Sequence, residues 1–305
     1  MADGFAQKQT VVLPQGFDKN LFGFINIYKP KGMTSHDVVG ILRRITGIKQ
    51  IGHTGTLDPF AEGVLPVCIG KATRLIEYLN DDKEYIATVK FGSNTETYDL
   101  EGKVTETFDT KVSRDALIQA LQNFEGEISQ IPPLYSAIKV NGKRLYEYAR
   151  KGENVEVKPR QVTIFKIELK AFDEENQTAD ILIACSKGTY IRSIAYDLGK
   201  LLNCGGHLVK LVRTRAGSFM VGETSSLENL RGYPELVKEN LINPREVLEL
   251  PQIEINDFEH DRVLHGMAID NKTNYADFVI LIYNKIVSAV GLINDKKILI
   301  KKVFE

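Results

Sequence analysis

The chain has 305 residues, 43% of them hydrophobic and 26% charged, with a formal net charge of −1. That length exceeds the commonest single-domain size, the composition suits a globular protein with a buried core, and the charge excludes a bulk polycation. No apolar run nears the ~18 residues of a membrane span, and the opening Met1–Gln9 lacks the basic start and apolar centre of a secretory signal and reads as a loose tail.

In chain order, Leu21–Tyr28 is an apolar run ended by Lys29-Pro30-Lys31-Gly32, which predicts a strand and a turn. Thr34-Ser35-His36-Asp37 reads as a capping box ahead of Val38, Ile41, Leu42 and Ile45, whose spacing predicts a half-buried helix ending at Gly47. Glu84–Gly92 alternates, with Tyr85, Ala87, Val89 and Phe91 on one face of a strand. Ser113 opens a second helix that puts Leu117, Ala120, Leu121 and Phe124 on one side and stops at Gly126. From Ile131-Pro132-Pro133 to Arg160 the chain makes an excursion with a short helix around Arg144–Arg150. Ala179–Cys185 predicts a buried strand. Thr189–Leu202 predicts a helix with Ile194, Leu198 and Leu201 inward, closed by Gly205-Gly206, and Leu208–Arg213 a returning strand. After about Pro244 the texture changes: short apolar runs at Phe278–Ile282, Ile286–Leu292 and Ile298–Val303, separated by Asn284-Lys285 and Asn294-Asp295, predict a small barrel-like β domain.

Charge is unevenly spread. Lys139–Arg160 holds seven bases against three acids, Lys187–Arg215 six against one, and Glu223–Arg262 ten acids against four bases. Such segregation predicts a basic face suited to a phosphate-bearing partner, although each cluster alone is equally an ordinary solvated surface. Three scattered cysteines, Cys68, Cys185 and Cys204, have no CxxC spacing, and the five histidines have no HExxH spacing. The expectation is therefore no disulfide framework, no metal, and a cytoplasmic location.

The densest unusual stretch is Gly52-His53-Thr54-Gly55-Thr56-Leu57-Asp58-Pro59-Phe60-Ala61-Glu62-Gly63-Val64-Leu65-Pro66. Glycines permit close backbone approach and proline fixes a turn, so the loop can present Asp58 in one direction. On that physics alone an Asp-Pro pair is more often a turn or cap. A phosphate-binding loop does not fit, because Gly63 and Gly70-Lys71 are separated by six residues and Ala72 stands where Ser or Thr is needed.

This stretch resembles the active-site motif of the TruB-type pseudouridine synthase family. The likeness continues in order through Asn26-Ile27-Tyr28-Lys29-Pro30-Lys31-Gly32-Met33-Thr34-Ser35, Lys83-Glu84-Tyr85 to Phe91-Gly92, Ile131-Pro132-Pro133-Leu134-Tyr135-Ser136-Ala137, Lys187-Gly188-Thr189-Tyr190-Ile191-Arg192-Ser193 and Leu211-Val212-Arg213-Thr214-Arg215-Ala216-Gly217, covering roughly Leu21 to Pro244. The resemblance implies an α+β fold whose catalytic domain has a largely antiparallel central sheet. It divides the chain into a tail over 1–20, a catalytic domain over 21–244 with an RNA-gripping insertion at about 130–160, and a PUA-like RNA-binding domain over 245–305.

The implied activity is isomerisation of the uridine at position 55, in the T-arm loop of tRNA, to pseudouridine. It would proceed by base flipping on a single, monomeric polypeptide without guide RNA, protein partner, membrane or cofactor. Asp58 would be the catalytic carboxylate, acting as nucleophile or as stabiliser of a cationic ribose; attack on base, attack on sugar and ionisation all stay open. Arg192 would pair with it, Tyr85 would stack on the base, Tyr190 would take part in acid–base work at C5, and Leu211 would close the pocket. His53 would fill the space left by the flipped nucleotide. Lys29 and Lys31 would hold the loop or backbone phosphates, while Tyr135, Lys139, Arg144 and Arg150, with Tyr146 and Tyr148 nearby, would grip the RNA loop. Two rivals from other classes are a non-catalytic RNA-folding protein on the same arm and a nucleotide-binding enzyme.

Overall fold

The computed structural model describes residues 17–153 and 155–304; the tail read from the sequence lies, up to residue 16, outside them. The first strand, β1 (Gly23–Lys29), leads into α1 (Ser35–Thr46). Both halves of the capping box form: the Thr34 hydroxyl accepts from the Asp37 amide, and the Asp37 carboxylate accepts from the Thr34 amide at 2.9 Å. Gly47 ends the helix at φ 71°, a left-handed conformation that glycine adopts without penalty. The face carrying Val38, Ile41, Leu42 and Ile45 packs on Ile25, Ile27, Leu65 and Val67.

After α1 come β2 (Ile51–His53), β3 (Glu62–Ile69) and β4 (Lys83–Phe91). They enter a ten-stranded sheet whose main path runs Ser225–Ser226, β1, β3, Gly206–Ala216, β4, Thr178–Cys185, Arg160–Asp173 and Gly126–Gln130. Pairing is antiparallel except where Gly206–Ala216 meets β3 and where Ser225–Ser226 meets β1. The central strand β4 alternates as its sequence predicts, its odd positions buried and its even ones half-buried. Tyr85 pairs with Arg213 on one side and Ile183 on the other, while Ala87 pairs with Leu211, so these side chains collect at one end of the sheet.

One face of the sheet is covered by α2 (Arg114–Leu121) and α4 (Ile191–Leu201). Ile194 and Leu198 point inward, but Leu201 is 48% exposed. It is the last helical residue, and the chain turns there so that Leu202 packs on the core in its place. The excursion between Gln130 and Arg160 carries α3 (Leu145–Lys151) behind a short hairpin, Lys139–Val140 with Lys143–Arg144.

The C-terminal residues form a five-stranded sheet ordered Gln252–Glu254, Phe278–Tyr283, Ile286–Asn294, Lys297–Val303, Ile269–Asp270, with the helix Asp257–Leu264 packed against it. Ile280, Ile282, Val287 and Val290 pack on Phe24, Val64 and Cys68 of the large sheet, whereas Val279, Leu281 and Ala289 face Val263 of the helix. Burial on both faces explains why Phe278–Tyr283 reads as a continuous apolar run instead of an alternating one. Among the described residues no helix is long and apolar enough to cross a membrane.

Helix α4 approaches the start of the 206–216 strand closely because Gly199 has no side chain: a Cβ there would overlap the backbone of Gly205 and Gly206. A Gly199→Ala protein is expected to lose roughly 1–3 kcal/mol or more of stability, the cost of overpacking a filled interior. Urea denaturation should show a lower midpoint at unchanged slope.

Candidate active site

Asp58 lies in the loop between β2 and β3, and the main chain of that loop is fixed from several sides. Leu57 and Phe60, each 3% exposed, anchor it in the core on either side of the carboxylate. The Ser35 hydroxyl, at the first turn of α1, accepts from the Leu57 amide at 2.9 Å and sits 3.2 Å from the Leu57 carbonyl. Arg213 is 1% exposed; its Nε donates to the Val64 carbonyl at 2.7 Å, and its two terminal nitrogens donate to Thr56 and Gly55 at 3.3 and 3.2 Å. Gly63, at φ 108°, lets β3 lie directly on the Arg213 backbone, where any Cβ would collide with it. The loop is therefore a rigid platform.

Arg192, the second residue of α4, is 5% exposed and faces two carboxylates. Its Nε lies 2.9 Å from Asp58 Oδ2 and one terminal nitrogen 3.5 Å from Asp99 Oδ2. The Nε–H is not aimed at the oxygen, so the contact is an ion pair without a directed hydrogen bond. The terminal nitrogens donate to the carbonyls of Thr97 at 3.1 Å and Tyr135 at 3.0 Å. Asp99 is itself held by the Thr97 hydroxyl and the Glu101 amide. A guanidinium so placed holds the Asp58 side chain toward α4 by charge attraction.

Beside this pair opens a cavity of about 360 Å³, in the range of small-molecule sites. Asp58, Tyr85, Tyr190, Arg192 and Leu211 all line it. Burial pushes the phenol of Tyr85 above its ordinary pKa, with Arg213 opposing, and burial does the same to Tyr190. Both tyrosines are thus neutral phenols at pH 7. Asp81, Lys83 and Lys187 line the same cavity, and Asp81 bridges the two lysines at 3.2 and 3.7 Å.

Other residues singled out from the sequence lie elsewhere. Lys29 is fully buried, and its ammonium donates to the carbonyls of Pro30, Met33 and Pro59 at 3.0, 2.7 and 3.3 Å. It ties the β1 turn to the Asp58 loop and is buried away from solvent, so of the two roles expected of it the geometry supports the loop-holding one. Burial lowers its pKa to about 8. Lys31 is exposed in the turn, away from the cavity. His53 sits on β2 opposite Val67, outside the cavity lining, with Nδ1 buried and unpartnered. Tyr135 meets the site through its main-chain carbonyl. Lys139, Arg144 and Arg150 lie on the surface of the excursion, Arg144 and Arg150 with their guanidinium carbons 5.8 and 5.3 Å from the Tyr146 ring. The basic Lys187–Arg215 stretch contributes less surface charge than its composition implies, since Arg192 and Arg213 are interior.

Three residues at the site, Arg213, Gln130 and Asp99, carry no role that the sequence alone assigned. Arg213 and Gln130 adjoin or lie within the family-like motifs, so their positions gave a signal. Asp99 stands in an unremarkable polar turn and gave none. Among the described residues no group of three His, Cys, Asp or Glu side chains is disposed to hold a metal ion.

Comparison with known proteins gives a consistent result. Residues 43–191 match the family described as TruB family pseudouridylate synthase (N terminal domain), and residues 192–249 match the tRNA pseudouridylate synthase B C-terminal domain. The chain is 41% identical over 287 residues to the tRNA pseudouridine synthase B of Caldanaerobacter subterraneus subsp. tengcongensis, covering 92% of this chain and 99% of that protein. It is 47% identical over 250 residues to the tRNA pseudouridine synthase B of Symbiobacterium thermophilum, covering 81% and 82%. Among solved structures, a chain in the crystal structure of a Cbf5-Nop10-Gar1 complex superposes with a TM-score of 0.70 at 30% identity, covering 94% of this chain and 86% of that one.

Burial, and then the charge of Arg213, holds His53 below the ordinary imidazole pKa. The unfolded chain binds a proton near pH 6.5 that the folded protein refuses. Its contribution to stability is complete above that pH and declines as pH falls toward the folded pKa. Chemical denaturation between pH 7 and 5 should show a shallower loss of stability in a His53→Gln protein than in the native one.

Proposed function

Because the chain belongs to the TruB family of pseudouridylate synthases, we propose that Asp58 is the carboxylate on which its isomerisation of a tRNA uridine to pseudouridine turns. The observation that carries this reading is the convergence of Asp58, Tyr85, Tyr190, Arg192 and Leu211 on one base-sized cavity. The reaction breaks the C1′–N1 glycosidic bond, turns the uracil while it stays bound, forms C1′–C5, and exchanges the C5 proton for one on N1. No group departs and no electrons are exchanged with another molecule.

The residues divide the work. Asp58, paired with Arg192, faces C1′ and either bonds to it or balances its positive charge once N1 has left. Flipping the uridine out of its loop costs a few kcal/mol, and stacking on the Tyr85 ring returns about 1–3 kcal/mol. Leu211, on the neighbouring strand and the same sheet face as Tyr85, extends that wall of the cavity. Tyr190 keeps its proton at neutral pH, so it serves the C5 exchange as a hydrogen-bonding relay and not as a ready phenolate. Lys29, Arg213 and Ser35 hold the loop that aims Asp58.

The substrate uridine on this reading is position 55 in the T-arm loop. The stem-loop is gripped by the excursion around α3, where Lys139, Arg144 and Arg150 offer phosphate contacts. The domain divisions at about residues 20 and 244 and the PUA-like role of the C-terminal sheet belong to the same proposal. So does action as a cytoplasmic monomer with no guide RNA or obligatory protein partner.

The Asp58→Asn protein, incubated with unmodified tRNA, should form pseudouridine at least about 10³-fold more slowly, as expected on loss of a group that acts in covalent or ionic catalysis. Its tRNA affinity should stay within a few-fold of native. Retained modification removes the catalytic reading and leaves the RNA-folding alternative. A triple Lys139→Ala, Arg144→Ala, Arg150→Ala protein should bind tRNA with a shallower salt dependence. The slope of log affinity against log salt should fall by up to roughly 2–3, about 0.7–0.9 for each phosphate no longer neutralised.

A further inference from the structure

We propose that Gln130 is the positioning residue that joins the RNA-gripping excursion to the turn carrying Tyr190 and Arg192; this rests on the catalytic reading of those two residues. Gln130 is the last residue of the Gly126–Gln130 strand and pairs with Arg160, so the excursion leaves and re-enters the sheet at this one pair. Its side chain does not serve the sheet. The carboxamide, in a residue 2% exposed, turns toward Tyr190 and meets both polar atoms of that residue's main chain: Nε2 donates to the Tyr190 carbonyl at 3.0 Å, and the Tyr190 amide donates to Oε1 at 2.8 Å.

Tyr190 needs such a partner. It is the residue preceding α4, its side chain makes no capping bond to the helix, and it follows Gly188 at φ 80° in a turn with little regular pairing. The carboxamide stands in for a neighbouring strand: it gives the Tyr190 amide its acceptor and gives the Tyr190 carbonyl a second donor beside the Ile194 amide of α4.

Two neighbouring bonds run between the same two segments. Ser193 Oγ donates to the Ile131 carbonyl at 2.8 Å, and an Arg192 terminal nitrogen donates to the Tyr135 carbonyl at 3.0 Å. Residues 190, 192 and 193 are thus tied to residues 130, 131 and 135 at the root of the excursion. A displacement of that root moves the Tyr190 main chain and the guanidinium that orients Asp58. RNA held by the excursion therefore sets the alignment of the site through Gln130. The link acts on the reacting geometry more than on RNA affinity, because the carboxamide itself touches no surface that RNA reaches.

The test uses the full chain and unmodified tRNA, measuring the single-turnover rate of pseudouridine formation at saturating enzyme and, separately, the dissociation constant. Gln130→Leu removes both bonds at similar volume, and Gln130→Glu keeps an acceptor for the Tyr190 amide. The expected result is a rate roughly ten- to a hundredfold lower for Gln130→Leu, as for a small misplacement of reacting groups, a lesser loss for Gln130→Glu, and dissociation constants within about twofold of native. A native rate in either folded variant, or parallel losses of rate and affinity, overturns the proposal. If Gln130→Leu does not fold, Gln130→Glu decides by the same two measurements. Asp58→Asn is run alongside: activity there defeats the underlying site assignment, whereas an inactive Asp58→Asn with native-rate Gln130 variants defeats the coupling alone.

Discussion

A guanidinium taken out of water has to be compensated, and the compensation of Arg192 organises the cavity end of the large sheet. Desolvating a charge costs several kcal/mol, and removing one partner of a buried pair costs about 3–5 kcal/mol. The charge of Arg192 is balanced by Asp58 and Asp99, and its terminal nitrogens donate to the carbonyls of Thr97 and Tyr135. The group and its partners come from four stretches of chain: the β2–β3 loop, the turn after β4, the root of the excursion and α4 itself. None can drift without leaving a charge or a donor unpaired, so the electrostatic requirement doubles as a geometric one.

A second buried arginine divides the labour. Arg213 donates to the main-chain carbonyls of Gly55, Thr56 and Val64 and so fixes where the Asp58 loop runs, while Arg192 fixes which way the Asp58 side chain points. Lys29 adds a third cationic brace from the β1 turn. These three cations are consumed by the scaffold, whereas Lys139, Arg144 and Arg150 on the excursion face solvent, where a polyanion can meet them. Exposed positive charge and the bracing of the Asp58 loop thus rest on different residues, and a change in one need not disturb the other.

Much of this was legible in the residues because local physics dictated it. The Thr34–Asp37 capping box and Gly47 fixed both ends of α1, and strict alternation identified β4 and put Tyr85 on its buried face. The glycine-rich stretch marked a loop of unusual backbone demands, and Gly63 does meet the Arg213 backbone where a side chain has no room. Where partners are distant in sequence, the signal fails. Nothing near Asp99 announces that Arg192 will pack against it. Lys29, between strand and proline, looks like a solvated turn residue until the fold closes over it. Leu201 satisfies the helical period, but the period cannot say that the helix stops there. Resemblance to a family located the dyad and the tyrosines; the hydrogen bonds made by Gln130 are visible only once the chain is folded.

The double-sided burial of Phe278–Tyr283 has a thermodynamic corollary. Its inner side chains complete the apolar layer that begins at Phe24 and Val64, and its outer ones found a layer of their own. Excising the last fifty or so residues would strip one wall from the larger unit and leave oily surface in water, a recipe for aggregation. Melting should accordingly be all-or-none across both sheets, with the terminal portion acting as a keystone and not as a detachable appendage.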